Sequence, residues 1–136
     1  MIKIVLMIWV FSTMLFGGYS RDANGIVTDT NTQLQWFKYE DIKGFRWQEA
    51  INICEDLVKG DYDDWRLPNV RELNSIVDYS RGYPAIDPIF DIGSLIFWTS
   101  TTHRGFKAWT VDFFWGHQSV EDKRKTKSVV CVRGGL

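Results

Sequence analysis

The chain predicts an α+β domain in which two helices pack on a small antiparallel sheet with long loops. Three observations carry that expectation. Short β-branched or aromatic runs stand near both ends, two stretches with helical spacing lie between them, and a segment holding Gly82, Pro84 and Pro88 separates the helices from the later strands.

The elements follow in chain order. Gly25 to Asp29 is β-branched, Thr30-Asn31-Thr32 breaks it, and Leu34-Gln35-Trp36 resumes the alternation, so these residues predict a hairpin. Trp47, Ala50, Ile51, Cys54, Leu57 and Val58 recur at three- and four-residue steps and define one apolar helical face, which Gly60 ends. In Asp64-Trp65-Arg66-Leu67-Pro68-Asn69-Val70-Arg71-Glu72-Leu73, Pro68 keeps Leu67 out of helical geometry. Asn69 and Glu72 then have the spacing of a capping box. The second helix is predicted from about Val70 to Asp78 with Leu73, Ile76 and Val77 inward. Residues 79–92 read as a long connection, 95–100 and 106–113 as strands around a polar turn at Arg104-Gly105, and 128–133 as a buried last strand.

Residues 1–20 have the pattern of a secretory leader. Lys3 is followed by an apolar run to Phe16, and Gly18 and Ser20 are small residues at the positions a signal peptidase inspects. This predicts a single domain over residues 21–136 in a secreted or periplasmic protein, with a retained N-terminal anchor as the alternative. The net charge of −1 becomes more negative once Lys3 leaves, which argues against nucleic acid as a partner. Lys123-Arg124-Lys125 with Lys127 reads as a solvated face. Cys54 and Cys131 are the only cysteines. An oxidising compartment favours their pairing, and a loop of that length would stabilise the fold by about 4 kcal/mol in the chain-entropy model. Two buried free thiols are the alternative. His103 and His117 have no ligand spacing with either cysteine, so no metal site is expected there.

The mature chain resembles the bacterial Lcl C-terminal domain family, named for the end of a collagen-like adhesin. Asp29, Thr32, Leu34 and Trp36 carry the resemblance in the hairpin, with Trp47, Ala50 and Cys54 in the first helix and Asp64 to Pro68 with Glu72-Leu73 at the junction. Phe97 to Thr101, Ala108-Trp109 and Cys131-Val132-Arg133 complete it. The resemblance implies a C-type-lectin-like fold, a Cys54–Cys131 disulfide and binding of polyanionic glycans. Arg66-Leu67-Pro68 is also similar to sulfatase-modifying domains, which use a cysteine pair near the domain's end, whereas this chain has one cysteine there. Gln33 stands where family members commonly have glycine.

Candidate site residues divide into structural and exposed groups. Trp65, Arg66, Pro68, Asn69 and Glu72 read as a brace, with Trp65 in the core and Arg66 held by Glu72 or Asp64. Asp61, Asp63 and Asp64 offer oxygens for Ca²⁺ but have the pattern of a polar turn. Ser100, His103 and Asp112 have no nucleophile elbow, so no catalytic residue is expected. Phe113-Phe114-Trp115 differs, because three consecutive aromatics cannot share one face of a strand. Tyr83, Arg104, Lys107, Phe114, Trp115 and His117 are therefore the expected binding residues, in a non-catalytic module that recognises a surface glycan or an envelope protein. A structural envelope domain and a divergent enzyme are the alternatives.

Overall fold

The computed structural model describes residues 18–40, 43–93 and 95–135, and most of the expected leader lies outside the described residues. In chain order the elements are β1 (Tyr19–Arg21), β2 (Val27–Asp29), β3 (Leu34–Lys38), α1 (Trp47–Glu55), α2 (Val70–Asn74), a 3-10 turn at Pro88–Phe90, β4 (Ile96–His103), β5 (Lys107–Asp112), β6 (His117–Asp122) and β7 (Val130–Gly134). The α+β arrangement with two helices is as expected, but the single small sheet is corrected to two. One has the order β1-β2-β3-β7 and the other β4-β5-β6. β7 pairs antiparallel with β3 from Leu34↔Gly134 to Lys38↔Val130, and the second sheet meets this layer through the Phe97↔Ser128 bridge.

β1 was not expected. Tyr19 pairs with Asp29, and its ring packs edge-on against Phe90 at 4.7 Å. The Gly18 N–H donates to Thr30 Oγ1 at 2.9 Å, and the Thr30 N–H donates to Gly18 O at 2.9 Å. Tyr19 and Ser20, the last two residues of the expected leader, therefore lie in β1.

α1 is shorter than its periodicity suggests. It ends at Glu55 with Asp56 as C-cap and no base in its last turn, so the acidic residues oppose the negative end of the helix dipole. Val58, expected inward, lies past that end and is 71% exposed. α2 stops at Asn74 rather than Asp78, because Ile76 and Val77 donate to carbonyls three residues back, the tighter spacing of a 3-10 turn. Leu73 and Ile76 are nevertheless buried as expected. Two apolar clusters result. Trp36, Leu73, Phe90, Phe97, Phe113 and Val132 belong to one, and Cys54, Trp65, Leu67, Trp98 and Cys131 to the other. The second is cross-linked by the Cys54–Cys131 disulfide, with Cα atoms 5.4 Å apart, which ties α1 to β7.

Candidate functional site

The loop before α2 is organised by backbone pairing to β7. The Arg66 N–H donates to Val132 O at 2.9 Å, and the Val132 N–H donates to Arg66 O at 2.8 Å. That registry buries Trp65 and points the Arg66 guanidinium at Glu72, with two parallel hydrogen bonds of 2.6 and 2.7 Å. Asn69 and Glu72 complete the capping box, the Asn69 side chain accepting from the Glu72 N–H at 2.8 Å and Glu72 Oε1 accepting from the Asn69 N–H at 3.0 Å. Burial pushes the Glu72 carboxyl up, but hydrogen bonds from Arg66 and the Asn69 backbone, with the Arg66 charge, hold it below its ordinary value. Pro68 is buried at the same junction. All five residues expected to brace this loop therefore meet there. Of the two acids weighed as partners for Arg66, Glu72 takes the role. Asp64 instead binds Arg133, whose guanidinium stacks 3.5 Å from the Tyr62 ring centroid.

A second cluster forms where two loops converge. Phe113 is fully buried and anchors the β5–β6 turn, so the next two side chains project outward. The Asp112 carboxylate accepts the Phe114 N–H at 2.7 Å, and Asp112 O accepts the Gly116 N–H at 2.7 Å, which closes the turn. The loop after α2 is held beside it, since the Ala85 N–H donates to Phe113 O at 2.7 Å and the Asp78 N–H donates to Ala85 O at 2.8 Å. Tyr83 has φ = +47°, a left-handed conformation unusual for a bulky residue. Its ring meets Phe114 at 4.5 Å and Trp115 at 4.6 Å between centroids, and Phe114 meets Trp115 at 5.3 Å. Gly116, at φ = +80°, lies so close to the end of α2 that a Cβ would stand 2.7 Å from Val77 Cγ1 and 3.1 Å from Tyr79 Cε1.

Four rings consequently share one surface. Tyr79 is 68% exposed, Tyr83 56%, Phe114 36% and Trp115 51%. The sequence pointed to Tyr83, Phe114 and Trp115; it also placed Tyr79 at the start of the loop without marking its ring, because nothing local distinguishes that tyrosine from a core residue. His117 is exposed at the start of β6, opposite Asp112, and borders the turn.

Arg104 and Lys107 do not join this cluster. Lys107 pairs with His103 and Asp122, whereas Asp112 pairs with Ile96 and His117. The two groups thus occupy opposite ends of β5, about 17 Å apart at strand spacing. Sequence proximity suggested one surface, and the hairpin divides it. The same register separates His103 from Asp112, so Ser100, His103 and Asp112 form no triad. Asp61, Asp63 and Asp64 are exposed, and among the described residues no group of three or more metal-ligating side chains converges.

The model of the Lcl C-terminal domain matches residues 25–133. The chain belongs to that family. Among curated proteins none matches it. In this Lcl C-terminal domain the matched span includes both cysteines, the Arg66–Glu72 junction and the β5–β6 turn, while β1 precedes it. Gln33, at the position where the resemblance leads one to expect glycine, has φ = +62° and is held by its N–H to Asp29 O at 2.8 Å and by its amide to Thr30 O at 2.9 Å. The departure therefore keeps the left-handed turn that glycine adopts without strain.

Proposed function

We propose that this domain is a non-catalytic binding module, secreted or periplasmic, that holds a surface glycan or an envelope protein against the Tyr79, Tyr83, Phe114 and Trp115 surface. The single observation behind this reading is the exposure of four aromatic rings by two loops that are far apart in sequence and fastened to one another. Apolar surface of this kind, rimmed by polar groups, is retained where it meets a partner. The disulfide suits an oxidising compartment, and among the described residues no helix is long and apolar enough to cross a membrane. A C-type-lectin-like arrangement accords with a disulfide joining α1 to the terminal strand and with irregular chain carrying the exposed rings. Cys131 is held in that disulfide, so the sulfatase-modifying alternative has no free thiol to use at that position.

A second face favours the polyanionic ligand that the resemblance implies. Arg104 and Lys107 have no carboxylate ion-pair partner among the described residues and flank the exposed Phe106, whereas Arg124 and Lys125 are already paired with Asp122 and Glu121. Screening the exported protein on a glycan array and against isolated envelope proteins, with and without chelator, distinguishes the faces. Retention lost in Trp115→Ala at an unchanged melting temperature supports the aromatic surface, and retention lost only in Arg104→Ala/Lys107→Ala moves the site to the basic end. Concentration-dependent mass with no ligand retained would instead support an assembly domain.

A further inference from the structure

Beside its buried side, α1 carries a partly exposed face that borders a groove. Glu49, Asn52, Ile53 and Asp56 recur at helical spacing beside Leu57 and Val58, and the Tyr39 and Phe45 rings, 5.7 Å apart and edge-on, form the facing wall. The cavity between them has a volume of about 500 Å³. Its apolar floor is bordered by two carboxylates, and among the described residues that line it none is basic. Glu49 Oε1 accepts only the Arg46 N–H at 3.2 Å among the described residues. Asp56 stands at the C-terminal end of α1, where a negative charge is unfavourable and where α1 carries no compensating base. Accepting the Arg46 N–H accounts for Glu49, but among the described residues no side-chain hydrogen bond or ion pair accounts for Asp56, and Val58 beside it is 71% exposed.

We infer that this groove receives a basic amphipathic helical segment of a partner protein. Charge complementarity selects that occupant. Two carboxylates seven residues apart on a helix lie about 10 Å apart, the separation of two lysines two turns apart on a helix laid alongside. The apolar side chains between those lysines would cover Ile53, Leu57 and Val58, the helix-in-groove mode of recognition. This inference is independent of the aromatic surface, so Trp115→Ala should leave it intact.

The test is fluorescence anisotropy of the exported full chain with a labelled synthetic helical peptide of leucine and alanine bearing two lysines seven residues apart. A matched peptide with glutamate in place of lysine is the control. Saturable binding of the lysine peptide alone is expected, weakened by salt and at least about tenfold weaker in Glu49→Gln/Asp56→Asn. Glutamine keeps the acceptor for the Arg46 N–H but gives up a favourable first-turn charge, while removing the Asp56 charge relieves the helix end by a similar amount. The double variant should therefore melt close to the parent while binding worse, which a purely structural role would not produce. Val58→Ser should also weaken binding without unfolding the domain. Absence of saturation, equal binding of the glutamate peptide or an unchanged affinity in the double variant would overturn the inference. Self-association of the chain that Val58→Ser abolishes would assign the face to a second copy and overturn it equally.

Discussion

The Arg66 junction and the Trp115 turn use similar side chains in contrasting ways. At the junction an aromatic residue is buried, an arginine is paired bidentately, and the backbone is stitched to the terminal strand beside a disulfide. At the turn the backbone is equally well bonded, yet the rings it carries stack on one another in solvent. Backbone order is shared, while side-chain burial is not. Under the proposed function, a bonded loop that leaves its largest side chains outside offers them for contact with another molecule, whereas one that buries them holds the domain together.

If the junction region supplies stability and the turn supplies contact, substitutions in the two should separate. The largest effect belongs to the staple. Replacing both cysteines with alanine should lower the unfolding free energy by about 2–5 kcal/mol in urea titrations. Gly116→Ala comes next, because the new Cβ meets Val77 and must occupy a left-handed conformation. A loss of about 2 kcal/mol is expected, with reduced ligand retention as Tyr79 and the turn are forced apart. This variant sharpens the comparison, since it is where the two properties are coupled.

Glu72 tests the junction by pH. Its carboxyl is held below the ordinary value, so its contribution is fully present above the unfolded pKa of about 4.3 and is lost as pH falls through the folded pKa. Glu72→Gln should be less stable at pH 7, with the difference narrowing as acid is added below about pH 4, as followed by thermal melts across a pH series. A smaller effect of opposite sign is expected at the opening hairpin. Gln33→Gly should raise stability by about 1 kcal/mol, because glycine occupies φ = +62° without a Cβ clash.

Much of the junction was legible because its signals are local. Pro68, Asn69 and Glu72 constrain backbone geometry within five residues, and Arg66 has an acid within reach. The disulfide followed from the compartment and the family resemblance. β1 was not legible, because Tyr19 gains its role from Asp29 and Phe90, partners chosen by tertiary pairing. β6 was missed because His117 to Asp122 lacks apolar alternation; as a sheet edge it is specified by β5. The exposed aromatics were legible in part. Three consecutive rings forced one outward, but grouping Arg104 and Lys107 with them required knowing which way the hairpin runs.

The most direct test measures ligand retention and unfolding free energy together for Trp115→Ala and Glu72→Ala, using whichever glycan or envelope protein the exported domain retains. Trp115→Ala should abolish retention while changing stability by less than about 0.5 kcal/mol. Glu72→Ala should cost about 1–2 kcal/mol through its cap and ion pair while retaining ligand as long as the domain is folded. The reverse pattern, or retention that follows stability in both variants, would contradict the division between a braced scaffold and an aromatic contact surface.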